Sequence, residues 1–214
     1  MFVKINGDLK QKVNLIVKYF SLKKFNEVIL RIKPLINDHP QIIELYNILG
    51  LAYIYTERNK EGIEILEKAL KIDTKNTNEK ANILNNLGLL HSRIFNEDKS
   101  IEFYKKSLSI KPNFFQAVNN LALIYSKLNN SEKSIKILKG IEKQETKNQI
   151  FNHTMASSYM HTGDFENAKK YANKIIKDNP NNCAADFILS QLTNYKNDNT
   201  HLEIMKNKNE EKLN

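Results

Sequence analysis

Residues 81–114 read ANILNNLGLLHSRIFNEDKSIEFYKKSLSIKPNF, and this stretch decides the fold. Apolar residues recur at helical spacing in two successive blocks, the signature of two amphipathic helices. Pro112 closes the stretch, because proline cannot continue a helix. The pair Leu87-Gly88 supplies a register mark. Setting Leu15-Ile16, Leu49-Gly50, Leu121-Ala122 and Met155-Ala156 beneath it aligns most of the chain, with successive offsets of 34, 38, 34 and 34 residues.

The columns that result have physical reasons. Gly50, Gly88, Ala122, Ala156 and Ala168 are small, so helix backbones can approach closely. Beside them runs an aromatic column of Tyr19, Tyr53, His91, Tyr125 and Tyr159. A mostly small column follows at Val28, Gly62, Ser100, Ser134 and Ala168, then Ile32, Leu66, Tyr104, Leu138 and Ala172. The units close at Pro40, Pro112 and Pro180, with Thr74 and Thr146 at the equivalent sites. Turns inside units fall at Arg58-Asn59-Lys60, Asn129-Asn130-Ser131 and Thr162-Gly163-Asp164. A lone unit cannot bury its apolar face, so the units must stack. Four extra polar residues near Thr77–Lys80 predict either a longer loop or one added helical turn, with no function of their own.

This pattern of Leu-Gly, Tyr, a small residue, an aromatic and Pro resembles the tetratricopeptide repeat (TPR) over about residues 9 to 182. Departures are Ile16 for a small residue, His91 for Tyr and Ala172 for an aromatic. The resemblance implies an all-α, right-handed TPR solenoid of five helix–turn–helix repeats at about 9–42, 43–76, 81–114, 115–148 and 149–182. A capping helix over 183–195 would complete an array spanning 9–195, with Ala184, Phe187, Ile188 and Leu192 as its apolar side. The polar tail 196–214 holds a possible capping box, Thr200-His-Leu-Glu203, able to open a short helix.

The totals agree with a folded, helical chain. Of 214 residues, 41% are hydrophobic and 27% charged, too apolar for a disordered chain. The formal charge of +9 comes almost wholly from lysine, with Arg31, Arg58 and Arg93 the arginines. Arginine is the residue suited to bidentate phosphate and base contacts, so the charge is read as compositional drift and no nucleic-acid partner is expected. No window approaches the ~18 apolar residues of a membrane span, and the N-terminus has no leader-like apolar region. Cys183 stands alone. A cytoplasmic protein is expected, without membrane insertion, cofactor or metal; His153 and His161 are eight residues apart, roughly 12 Å along a helix, too far to share an ion.

In the TPR family the first helix of each pair lines a concave groove that holds a protein or peptide ligand. The inward columns here are Asn14, Ile48, Asn86, Asn120 and Thr154, and Val17, Leu51, Leu89, Leu123 and Ser157. The first resembles the asparagine ladder of O-linked N-acetylglucosamine transferase, whose amides hydrogen-bond a peptide backbone. The second is an apolar stripe widened by Phe20, Ile54, Tyr55 and Met160. Arg93, Lys127 and His161 give the far end a basic character suited to an acidic segment. Val13, Val17 and Ile48 stand where the carboxylate clamp of chaperone-binding TPRs has Lys and Asn, so that ligand is excluded.

No phosphate loop, H-E-x-x-H, G-x-S-x-G or paired-cysteine motif occurs, so no catalysis is expected. The expected function is a scaffold or adaptor binding a peptide or helical segment. An alternative comes from the tail: Gln191 to Met205 resembles the junction of bacterial proteins that join TPRs to a sulfotransferase. That resemblance implies the binding arm of a sulfotransferase or glycosyltransferase whose catalytic part lies outside this chain.

Overall fold

The turns between paired helices show how this chain builds its repeats. In a computed structural model describing residues 7–145, 147–193 and 200–210, five residues adopt positive φ: Lys23 (55°), Glu57 (59°), Phe95 (58°), Asn129 (56°) and Gly163 (77°). They occupy one column of the repeat. Around each, the next backbone N–H reaches back to the carbonyl of the aromatic column: Lys24 to Tyr19, Arg58 to Tyr53, Asn96 to His91, Asn130 to Tyr125 and Asp164 to Tyr159, at 2.8 to 3.0 Å. This is the Schellman closure, which satisfies helix-end carbonyls and reverses the chain at the same place each time. In the last three repeats the second helix then starts on a side-chain cap, with Asn96, Asn130 and Asp164 accepting from Lys99, Lys133 and Asn167 N–H.

Thirteen helices and no strand occur among the described residues: α1 (Gly7–Ser21), α2 (Phe25–Asp38), α3 (Ile43–Tyr55), α4 (Asn59–Leu70), α5 (Thr77–Arg93), α6 (Glu97–Ile110), α7 (Phe115–Lys127), α8 (Ser131–Lys139), α9 (Glu142–Glu145), α10 (Gln149–His161), α11 (Phe165–Asp178), α12 (Cys183–Leu192) and α13 (Thr200–Glu210). The all-α repeat fold expected from the columns is the fold observed. The chain divides into two units, Met1–Ala117 and Val118–Asn214, with the division inside α7.

In the first unit each helix from α1 to α6 packs on the next, and α3 also packs on α5. Close approach is visible at the small column. A Cβ on Gly50 would stand 2.4 Å from Leu66, and one on Gly88 would stand 2.6 Å from the Tyr104 ring. The Gly88 carbonyl also accepts the Ser100 hydroxyl at 2.8 Å. Burial pushes the Tyr104 phenol well above its ordinary pKa.

The four extra residues form an added helical turn: α5 has 17 residues where α3, α7 and α10 have 13. The turn is not idle. Asn76 caps it by accepting from Glu79 N–H, and donates to Glu44 on α3 at 2.7 Å. Glu79 accepts from Asn47 of α3 at 2.7 Å and from Asn82 at 2.9 Å.

In the second unit α10 packs on α8 and α11, and α12 packs on α11 and α10. The second half of the fourth repeat is split, since α8 stops after nine residues at Gly140 before the short α9. Glycine is a weak helix former, but Gly50, Gly62 and Gly88 lie inside unbroken helices, so propensity alone does not explain the interruption at Gly140. Glu142 of α9 then accepts a short hydrogen bond from the Tyr171 hydroxyl of α11. The capping helix differs from its expected register. Ala185, Ile188 and Leu189 are buried, whereas Ala184 is exposed and Phe187 is 60% exposed. Beyond it, His201 at the start of α13 is buried with its Nε2 3.3 Å from Asp186 Oδ1 of α12. The expected linker at 194–199 and Thr146 lie outside the described residues.

Candidate functional face of the first helices

The asparagine column is a joint between repeats before it is anything else. Asn86 is buried, and its Nδ2 donates to Asn47 Oδ1 of the preceding repeat at 2.8 Å. Its own Oδ1 accepts from Asn85 at 3.2 Å. In the second unit the same two positions pair again, with the Thr154 hydroxyl donating to Asn119 Oδ1 at 2.8 Å. Where the column is apolar the counterpart is apolar too: Ile48 and Val13 both pack against the core of the first unit. The Asn86 amide expected to face a ligand is here engaged by Asn47, and withdrawing it would leave the Asn47 Oδ1 without that donor. Asn14 is exposed and Asn120 half-buried.

The neighbouring column is more open. On the first unit Val17 is exposed and Leu51 and Leu89 are half-buried; on the second, Leu123 is exposed. Tyr55, 56% exposed at the end of α3, packs against two other aromatic rings. Its ring stacks on Phe25 at 4.6 Å and 8°, and meets the edge of Phe20 at 5.6 Å. Phe25 was not singled out from sequence, since it opens a second helix and its column holds an aromatic only here and at Phe165.

Arg93 is exposed, yet one guanidinium N–H donates to the Ile54 carbonyl in the last turn of α3. A cation there suits the negative end of the helix. This places Arg93 beside the residue that precedes Tyr55. Lys127 and His161 are exposed on the second unit, as is His153. A shallow depression of about 300 Å³ lies away from this face, between α2 and α4, lined by Lys33, Ile36, Tyr53, Glu61, Glu64 and Lys68. Its rim mixes both signs of charge and favours neither.

Three sequence profiles described as tetratricopeptide repeat match residues 28–113, 103–136 and 151–182, together more than half of the chain. The chain belongs to the tetratricopeptide repeat family. Solved structures agree with this TPR assignment at the level of fold. A TPR protein from Parabacteroides merdae is similar with TM-score 0.69 and 17% identity, covering 92% of this chain and 76% of that one. The protein MamA gives 0.63 and 19%, covering 78% and 90%. YrrB, described as a TPR protein with an unusual peptide-binding site, gives 0.61 and 14%, covering 81% and 88%. Comparison with curated protein sequences finds no match. Among the described residues of this TPR protein, no helix is long and apolar enough to cross a membrane, and no three His, Cys, Asp or Glu side chains are grouped to hold a metal.

Proposed function

We propose that this TPR protein is an interaction scaffold whose first-helix face binds a segment of another protein. The observation that carries the reading is the contrast along α3 in the first unit: Ile54 is 2% exposed and Tyr55 is 56% exposed, its ring backed by Phe20 and Phe25. A large aromatic ring held in a fixed orientation at the surface is the kind of side chain that anchors binding partners at low entropic cost. Leu51 and Leu89 extend the apolar contact, and Arg93 adds a cation for an acidic neighbour in the ligand. The peptide-binding site named for YrrB, a protein of similar repeat fold, supports this reading. Asn86 is left out of the binding set, and the ligand is a protein of the cytoplasm rather than a nucleic acid.

The test uses peptides selected from a random phage-displayed library against the intact chain. Tyr55→Ala and Leu89→Ala should each weaken a selected peptide about tenfold, in the range of an anchoring interface residue. Lys105→Glu, on the second-helix side, should leave affinity unchanged. Helical circular dichroism checks that each variant is folded. The reverse pattern would move the binding surface to the second helices and end this reading.

A further inference from the structure

The aromatic column of the first helices is a set of cation-receiving rings. Arg31 lies 4.8 Å over Tyr19, Arg58 4.8 Å over Tyr53, Lys133 5.6 Å over Tyr125 and Lys139 5.8 Å over Tyr159. A tyrosine face attracts such a charge. In the third repeat the same column holds His91, a ring that can itself become a cation near neutral pH.

His91 is 4% exposed and stacks on Phe103 at 5.2 Å and 13°. Neither Nδ1 nor Nε2 has a hydrogen-bond partner in the protein. The charged groups facing it are Lys99 and Glu102 from α6 and Glu67 from α4; Lys106 sits 5.5 Å over the Phe103 ring. As a neutral ring, His91 fits this place by packing. As an imidazolium it would be a buried cation with two N–H groups and no acceptor, a costly arrangement. Burial first, and Lys99 second, hold its pKa below the usual 6.5, against the pull of the two glutamates.

We propose that His91 is an acid-sensitive joint of the third repeat: on taking up a proton it loosens the packing of α5 on α6, and with it the first-helix face to which Leu89 and Arg93 belong. The loosening stands on the burial of the ring; its effect on ligand affinity rests on the function proposed above. The sign follows from linkage. The unfolded chain binds the proton more readily than the folded one, so stability is complete above the unfolded pKa of 6.5 and falls as pH drops through the folded value.

Urea unfolding and amide hydrogen exchange at about pH 7.5 and about pH 5.5, on either side of the ordinary histidine pKa, test the joint without any ligand. Wild type should lose stability at the lower pH, and amides of α5 and α6 should exchange several-fold faster after correction for intrinsic rates. His91→Tyr, which restores the column's own residue, should remove most of this difference, and His91→Phe serves if the tyrosine variant folds poorly. The four other histidines remain in both variants, so an unchanged pH difference would overturn the proposal. So would a wild-type NMR titration placing the His91 ring at or above 6.5. If the exchange effect appears while affinity for a selected peptide is constant, the joint stands and its coupling to the first-helix face is overturned; the Tyr55→Ala and Leu89→Ala variants decide the binding reading separately.

Discussion

At the scale of single residues, burial decides which side chains belong to folding and which to binding. Gly88 leaves no room for a side chain, since a Cβ there would lie 2.6 Å from Tyr104. Gly88→Leu should cost about 1–3 kcal/mol by overpacking, read as a lower urea midpoint; an unchanged midpoint would mean that the helices do not cross at this column. Asn86→Ala should also destabilise, by about 1–3 kcal/mol, because it strands the Asn47 oxygen that now accepts its amide. Its affinity for a selected peptide should hold; a silent effect on stability with lost affinity would restore the ligand ladder. The small column was readable from spacing alone. The role of Asn86 was not. Adjacent asparagines such as Asn85 and Asn86 point about 100° apart on a helix, and a sequence does not say which of the two meets the neighbouring repeat.

Elements were legible wherever a periodic apolar pattern met a polar break, and less so where the backbone alone made the turn; proline was no sure stop, since Pro34 lies inside α2. Glycine marks the left-handed position in one repeat of five and asparagine, at Asn129, in another, whereas Lys23, Glu57 and Phe95 gave no signal there. Asymmetry of this kind predicts opposite outcomes for two substitutions. Lys23→Gly should stabilise by up to about 1 kcal/mol, since it relieves a left-handed non-glycine residue at an exposed site. Gly163→Ala should destabilise by a similar amount, about 1 kcal/mol, although no atom stands within 4 Å of the added methyl. Melting temperatures that move together would show that strain does not govern these turns. The added turn of α5 was legible as one of two alternatives, but its bonds to Glu44 and Asn47 depend on side chains 32 residues away in sequence.

For the whole molecule, the repeat family and the all-helical fold were written in the register of columns, because stacking demands the same small and large residues at the same places. The end of the array was legible only in part. Apolar spacing marked α12 but misplaced Phe187, and nothing in the pattern signalled that His201 would be buried against Asp186. Removing 183–214 should expose the sides of α10 and α11 that α12 covers and cause aggregation, while removing 200–214 should cost a smaller loss by leaving Asp186 without His201. Light scattering of the two truncations against the full chain checks the order. The central claim is that a protein segment binds across the first helices. Photo-crosslinking from a selected peptide, mapped by mass spectrometry on the intact chain, tests it most directly. Crosslinks at Leu51, Tyr55 and Leu89 are the predicted result; crosslinks confined to Lys33, Glu64 and Lys68, on the other side between α2 and α4, would contradict it.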